Sequence, residues 1–127
     1  MIAVDTSALM AVLLEEPEAE PCAAVLESEA HVLISAGTVA EAMIVARRRN
    51  VGEEMAALIE DLAFEPVSVT PAAARRIAAA YERWGKGVHP AGLNFGDCFS
   101  YEVAKEHACR LLYIGGDFAK TDIESAL

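Results

Sequence analysis

Four acidic residues of this chain have the types and positions to do chemistry together. Asp5 interrupts an apolar run in "IAVDTSAL", Glu41 is the single charge of "VAEAMIVA", and Asp97 and Asp117 lie in "LNFGDC" and "LLYIGGDF". Four carboxylates gathered in one place would form an oxygen-only site suited to Mg²⁺ or Mn²⁺. Such ions polarise a phosphoryl group and activate water for attack on a phosphodiester.

Each acid also has a simpler structural interpretation, and these alternatives stay open. Asp5 and Asp117 follow predicted strands and could each cap the next helix, since Asp is a favoured N-cap residue. Thr38 and Glu41 match the T-x-x-E capping box. Asp97 would interact favourably with the dipole of a helix capped by Asn94.

The helix around Glu41 is apolar nearly all round, which predicts that it is well buried. An ionised glutamate is costly to bury without a partner, and no basic residue precedes Arg47 on this helix. A bound cation would supply that partner.

The elements that must position these acids follow from short apolar runs that alternate with helical patterns. We predict strands at 2–4, 32–35, 66–69 and 111–114 and helices at 7–14, 18–28, 38–49, 52–64, 72–84 and 96–107. Repeated strand-then-helix units predict a parallel sheet. Ligands of such sheets bind beyond the carboxyl ends of the strands, where Asp5 and Asp117 would lie.

Length and composition predict one domain spanning residues 1–127, because 127 residues with 54% hydrophobic content can build a full core. We expect a soluble cytoplasmic protein, since no apolar run is long enough for a membrane span and no basic secretion signal begins the chain. Cys22, Cys98 and Cys109 show no metal-ligand spacing and predict packed thiols. The net charge of −10 argues against a general nucleic-acid-binding surface.

Over essentially its whole length the chain resembles PIN-domain ribonucleases, most closely VapC-type toxins of toxin–antitoxin pairs. The likeness rests on "IAVDTSAL", on a glutamate in the helix after the second strand, and on "LNFGDCFSYEVAKEHACRLLYIGGDFAKTDI". It implies a three-layer α/β/α sandwich with a mostly parallel sheet of four or five strands. It also implies RNA cleavage with Mg²⁺ or Mn²⁺, with Asp5, Glu41, Asp97 and Asp117 as the catalytic and metal-binding acids.

The same resemblance implies supporting residues and partners. Thr6 and Asp122 match positions near the family's acidic site. The partners it implies are a VapB-type antitoxin with a basic segment, an RNA substrate and a second copy of the chain in a homodimer, with no membrane. Gly116 departs from the Asn or Asp of many relatives, which predicts a weaker second metal position, and the short tail after Asp117 predicts that a fifth strand is short or missing.

Because the chain as a whole is acidic, a local group of basic residues would have to bind the phosphates of RNA. Arg48 lies two turns after Glu41 and so shares its helix face. The alternative is that these cations only favour helix ends or solvent. The full set of candidates is Arg47, Arg48, Arg49, Arg75, Arg76, Arg83 and Lys86.

Other function classes fit the sequence less well. A receiver-type phosphoacceptor domain needs an acidic pair near the first strand and a lysine after the last, and neither is present. A phosphatase with an aspartyl nucleophile needs a second acid two residues after the first, where this chain has Ser7. A non-catalytic binding module with the same fold remains the main alternative, and divalent-ion binding would distinguish it from a nuclease.

Overall fold

The sheet is built from four short strands, as the computed structural model of residues 1–127 shows. They are β1 (Ile2–Val4), β2 (Val32–Ser35), β3 (Glu65–Val67) and β4 (Arg110–Leu112). All pair in parallel in the order β3-β2-β1-β4. The predicted parallel sheet is therefore confirmed; β1 and β2 have the predicted bounds, whereas β3 and β4 lie one or two residues earlier.

Six helices connect the strands, as predicted, and their ends follow local signals. Thr70 caps α5 ahead of a proline at its first position, where the missing N–H costs nothing, and Asn94 caps α6. The helices are α1 (Thr6–Leu13), α2 (Ala19–Ser28), α3 (Ala36–Arg48), α4 (Gly52–Asp61), α5 (Pro71–Trp84) and α6 (Phe95–Glu106). None is long and apolar enough to cross a membrane.

The helices cover both faces of the sheet, which gives three α/β/α layers. Ile2 and Val4 of the central strand point into one core with α1 to α4, whereas Ala3 points into a second core with α5 and α6. This alternation follows from the two-residue period of a strand. The predicted three-layer fold is confirmed.

The strand order decides where a ligand can bind. The chain moves from β1 through β2 to β3 in one direction and then returns to place β4 on the other side of β1. The carboxyl ends of β1 and β4 therefore border a topological switch point, which is where open α/β sheets form their crevice.

The segment after Asp117 runs beside the outer edge of β4. Leu111 pairs with Ser125 in a single parallel bridge, and its N–H and C=O bond to Glu124 and Ala126. The sheet has four strands, and this single bridge is all that forms in place of a fifth, as expected.

Candidate acidic site at the strand ends

Asp5 lies at the carboxyl end of β1 and is buried, with 3% of its surface exposed. It is the N-cap of α1, and its Oδ2 accepts hydrogen bonds from the Ser7 N–H at 3.0 Å and the Ser7 hydroxyl at 2.7 Å. Its Oδ1 accepts a hydrogen bond from the Ser100 hydroxyl at 2.6 Å. The predicted capping role is confirmed. Asp5 also lies at the edge of the crevice, because it directly follows the carboxyl end of β1.

Glu41 is not part of a capping box, so that alternative is wrong. The helix begins earlier than the pattern indicated, with Ser35 as its N-cap, and Thr38 is already inside α3. The Glu41 carboxylate instead accepts a hydrogen bond from the Thr6 hydroxyl at 2.6 Å, across the crevice from α1. A Cβ on Gly96 would overlap its Oε2, so Gly96 is the residue that lets α6 approach this carboxylate.

The expectation that α3 is buried nearly all round is also wrong. Only Thr38, Ala42 and Ala46 are buried, while Met43 and Ile44 are exposed. The helix has an outer face because α1, α4, α6 and the sheet pack against its other sides and nothing covers Met43 and Ile44. Glu41 lies at the boundary, half-buried.

Asp97 occupies the first turn of α6 in a complete capping box. The Asn94 side chain accepts from the Asp97 N–H at 2.8 Å, and Asp97 Oδ2 accepts from the Asn94 N–H at 3.0 Å. Burial raises the pKa of the Asp97 carboxyl to about 6, opposed by the Asn94 hydrogen bond and reinforced by the charges of Asp5, Glu41 and Asp117.

Asp117 is the most open of the four acids. It follows β4 through Gly115, whose φ of +100° requires glycine. Its side chain makes no capping hydrogen bond to the 3₁₀ turn Phe118–Lys120, so the capping alternative is wrong for this residue. Its carboxylate is exposed, and its negative charge contributes to the raised pKa of Asp97.

The fold thus brings the four predicted acids close enough that the charges of the other three act on Asp97. Burial raises the pKa of Glu41 as well, countered by the Thr6 hydrogen bond and reinforced by the charge of Asp5. Hard oxygen donors in this number are the chemistry that Mg²⁺ and Mn²⁺ prefer. No three of them, nor any other three His, Cys, Asp or Glu residues, are arranged to hold one metal ion directly.

The two predicted supporting residues have different surroundings. Thr6 is buried and bonds Glu41, as a supporting role requires. Asp122 belongs to another network, in which its carboxylate accepts from Tyr101 at 2.7 Å and Lys105 at 3.1 Å. Those hydrogen bonds and the nearby cations lower the pKa of Asp122 although its partial burial would raise it.

The seven basic candidates divide into paired and unpaired groups. Arg76 bonds the buried Glu102, and Arg83 lies over the Trp84 ring and pairs with Asp122. The other five candidates have no carboxylate within salt-bridge distance. They are Arg47, Arg48, Arg49, Arg75 and Lys86.

Arg48 borders a cleft of about 450 Å³ that opens beside Glu41. The opposite wall is Phe95 and Phe99, which contact edge to face with centroids 4.9 Å apart. Phe95 is 71% exposed, more than any other large apolar residue. An arginine without an ion-pair partner and an exposed aromatic ring therefore flank the cleft beside Glu41.

Besides Ser7, which bonds Asp5, two residues that contact the acids were not singled out from the sequence. Gly96 precedes Asp97 directly, and Ser100 follows it by three residues on the same helix face. A hydroxyl one helical turn below a candidate acid, in an otherwise apolar segment, was the available signal for Ser100.

Comparison with known families gives a match over nearly the whole chain. The model of the PIN domain family matches residues 2–124. Ribonuclease VapC30 of Mycobacterium tuberculosis is 42% identical over 123 residues, which cover 94% of both chains. Ribonuclease VapC of Mycolicibacterium smegmatis is 37% identical over 123 residues, covering 94% of this chain and 95% of its own.

Solved structures share the fold at lower sequence identity. VapC20 of Mycobacterium tuberculosis, described as a toxin that cleaves the sarcin-ricin loop, superposes with a TM-score of 0.78 at 18% identity, over 97% of this chain and 96% of that one. A chain of a toxin–antitoxin complex from Klebsiella pneumoniae superposes with a TM-score of 0.73 at 20% identity, over 96% and 93%.

Proposed function

This chain belongs to the PIN domain family, and we propose that it is a VapC-type toxin, a metal-dependent endoribonuclease that hydrolyses phosphodiester bonds of RNA. The observation that carries the proposal is the acidic cluster at the switch point. Burial raises the pKa of Asp97, and the charges of Asp5, Glu41 and Asp117 raise it further, so the four carboxylates lie close enough to interact. The ribonuclease names of relatives at 37–42% identity support the reaction type.

The donor set fits Mg²⁺ or Mn²⁺ in its chemistry. Asp5, Glu41, Asp97 and Asp117 would hold the ion, and Mg²⁺ usually keeps several waters while binding one or two carboxylates, so direct chelation by three side chains is not required. When bound, the ion supplies polarisation of the phosphoryl group and activation of the attacking water.

The chain's own residues preorganise this site. The Ser7 hydroxyl donates a hydrogen bond to Asp5, and the Thr6 hydroxyl donates one to Glu41. Burial raises the pKa values of Glu41 and Asp97, the neighbouring carboxylate charges raise them further, and a bound cation would offset both effects. The acidic cluster thereby favours cation binding.

The test is cleavage of single-stranded or looped RNA by the purified protein, with Mg²⁺ or Mn²⁺ and with excess EDTA. We expect cleavage only with the metal, and full activity in EDTA would contradict the proposal. A non-catalytic module is the second candidate, favoured by the absence of a ready three-residue metal site. A protein that binds Mn²⁺ weakly or not at all and leaves RNA intact would support that candidate.

Arg48 is proposed to contact a phosphate of the substrate, because it is unpaired and borders the cleft beside Glu41. We expect Arg48→Ala to weaken RNA binding and to reduce the slope of log K against log salt by about 0.7 for a single strand, since one fewer counterion is released. Fluorescence anisotropy over a salt series, with Mg²⁺ omitted to prevent cleavage, measures both quantities.

The matched control is Arg110→Ala, because Arg110 begins β4 at the opposite edge of the sheet and pairs with Glu29. Its salt slope should equal that of the wild type. Equal slopes for Arg48→Ala and wild type would place Arg48 among solvent-exposed charges without a substrate role.

The proposed protein partner is a VapB-type antitoxin. A groove of about 470 Å³ between α1 and α2 combines apolar contacts from Val12 and Pro17 with the carboxylates of Glu15, Glu16 and Glu20. A basic amphipathic segment would complement this surface in charge and hydrophobicity. The test is the neighbouring gene: a small DNA-binding protein encoded immediately beside this one should form a complex with this chain, and a purified pair that does not associate would contradict the pairing.

The proposal includes a homodimer, for which the first helices offer little surface. Leu9 is in the core, and Val12, Leu13 and Val25 pack against it. Exposed apolar side chains lie instead on α3, α5 and the start of α6, namely Met43, Ile44, Tyr81 and Phe95. Such a face is typical of a protein interface, and a monomeric mass by light scattering would contradict the dimer.

A further inference from the structure

Two buried hydroxyl groups lie beneath the acidic cluster: that of Ser100 contacts Asp5, and that of Thr38 contacts Ser100. Ser100 lies on α6 three residues after Asp97, and Thr38 lies on α3 three residues before Glu41. Both are fully buried, at 1% and 0% exposed. The Ser100 hydroxyl is 2.6 Å from Asp5 Oδ1 and 3.2 Å from the Thr38 hydroxyl. These contacts connect the three elements that carry Asp5, Glu41 and Asp97.

The chemistry of the groups gives this chain of hydrogen bonds a direction. An ionised carboxylate only accepts, so Ser100 must donate its single proton to Asp5. Ser100 therefore accepts at its second contact, and the Thr38 hydroxyl is the donor there. The order is Thr38 to Ser100 to Asp5, with every buried side-chain polar atom satisfied.

A serine inside a helix commonly points to solvent or bonds the backbone carbonyl of its own preceding turn. Ser100 instead reaches a carboxylate 95 residues away in sequence. The other oxygen of that carboxylate is held by Ser7, so the plane of the Asp5 carboxylate is restrained from both sides. Oδ1, with one hydrogen bond, keeps a free lone pair for a further partner.

We propose that Ser100, oriented by Thr38, is a positioning residue that holds the Asp5 carboxylate ready for the divalent cation. This inference rests on the proposed function, because it assigns Ser100 a task in the same site. Removing the hydroxyl leaves the backbone of α6 intact but frees the carboxylate to rotate and leaves Thr38 without its acceptor. Loss of such an outer hydrogen bond weakens metal affinity.

The experiment measures Mn²⁺ binding to the full chain by titration calorimetry, without RNA. For Ser100→Ala we expect the dissociation constant to rise about tenfold. For Thr38→Val, which removes the hydroxyl at nearly constant shape, we expect a smaller rise in the same direction. Thr38→Val carries the test if Ser100→Ala does not fold.

The matched control is Thr70→Ala, which removes the N-cap hydroxyl of α5 away from the acids. It should lower the melting temperature and leave Mn²⁺ affinity unchanged. If Ser100→Ala binds Mn²⁺ as tightly as the wild type, this inference alone is overturned. The same holds if Thr70→Ala loses as much Mn²⁺ affinity as Ser100→Ala, because the loss would then reflect lower stability. No Mn²⁺ binding by the wild type would overturn the proposed function, and this inference with it.

Discussion

Replacing Asp97 by asparagine is expected to reduce RNA cleavage by more than about 100-fold, beyond the loss typical of residues that only support a metal ligand. The charge of Asp97 lies among those of the other three acids, so its removal weakens the cation site directly. The fold should survive, because the asparagine carbonyl can still accept the hydrogen bond from the Asn94 N–H. Cleavage of a labelled RNA at saturating Mn²⁺ measures the effect.

Asp97 gives a cleaner test than Asp5. The oxygens of Asp5 accept three hydrogen bonds, and an amide NH₂ at that position would face at least one donor. The matched control is Asp61→Asn, the same chemical change at the exposed end of α4, which should cleave like the wild type. Activity in Asp97→Asn equal to that of the control would contradict the catalytic assignment.

The second large effect concerns the stability of the metal-free protein, which should fall as pH rises from about 4 to about 6. Burial raises the pKa of Asp97 from 3.8 to about 6, so in this range the folded state binds more protons than the unfolded state. Stability then decreases with increasing pH, and the contribution of the protonated carboxyl is lost above about pH 6.

The size of this effect follows from the pKa difference. The full change from 3.8 to about 6 corresponds to about 3 kcal/mol in the free energy of unfolding. Partial exposure of the carboxyl to water reduces this to about 1–2 kcal/mol. Asp97→Asn has no such charge, so we expect it to be more stable than the wild type by about this amount at neutral pH.

Urea unfolding in EDTA at about pH 5, 6, 7 and 8 measures the difference between the two proteins. The advantage of Asp97→Asn should grow through pH 6 and then level off. Mn²⁺ at about 100 times its dissociation constant should stabilise the wild type by about 2.7 kcal/mol and the variant less. An advantage that is independent of pH, or an equal gain from Mn²⁺, would contradict the electrostatic explanation.

Local patterns in the sequence determined the elements and the identity of the acids. The apolar runs 2–4 and 32–35 gave β1 and β2 with their observed bounds. Asn94 marked the start of α6, because a capping signal acts within a few residues of its own position. Asp5 followed from the same logic, since a charge inside an apolar run next to a strand must lie at the strand end.

Other features depended on contacts between distant segments, which no local pattern encodes. Glu41 matched a capping box with Thr38, yet Thr6 of another helix became its partner once β1 and β2 were adjacent. Asp122 matched a family position, but Tyr101 and Lys105 engage it instead.

The outer face of α3 and the hydrogen bond from Ser100 to Asp5 were likewise decided by the tertiary structure. Met43 and Ile44 look like core residues in the sequence, but the single layer of helices on that side of the sheet leaves them exposed. Ser100 contacts Asp5 because α6 packs against β1. The helix lies there because it leads into β4, which pairs with the free side of β1. The sequence therefore determined which residues can do the chemistry, whereas strand order and helix packing decided which of them touch, because those contacts join residues far apart along the chain.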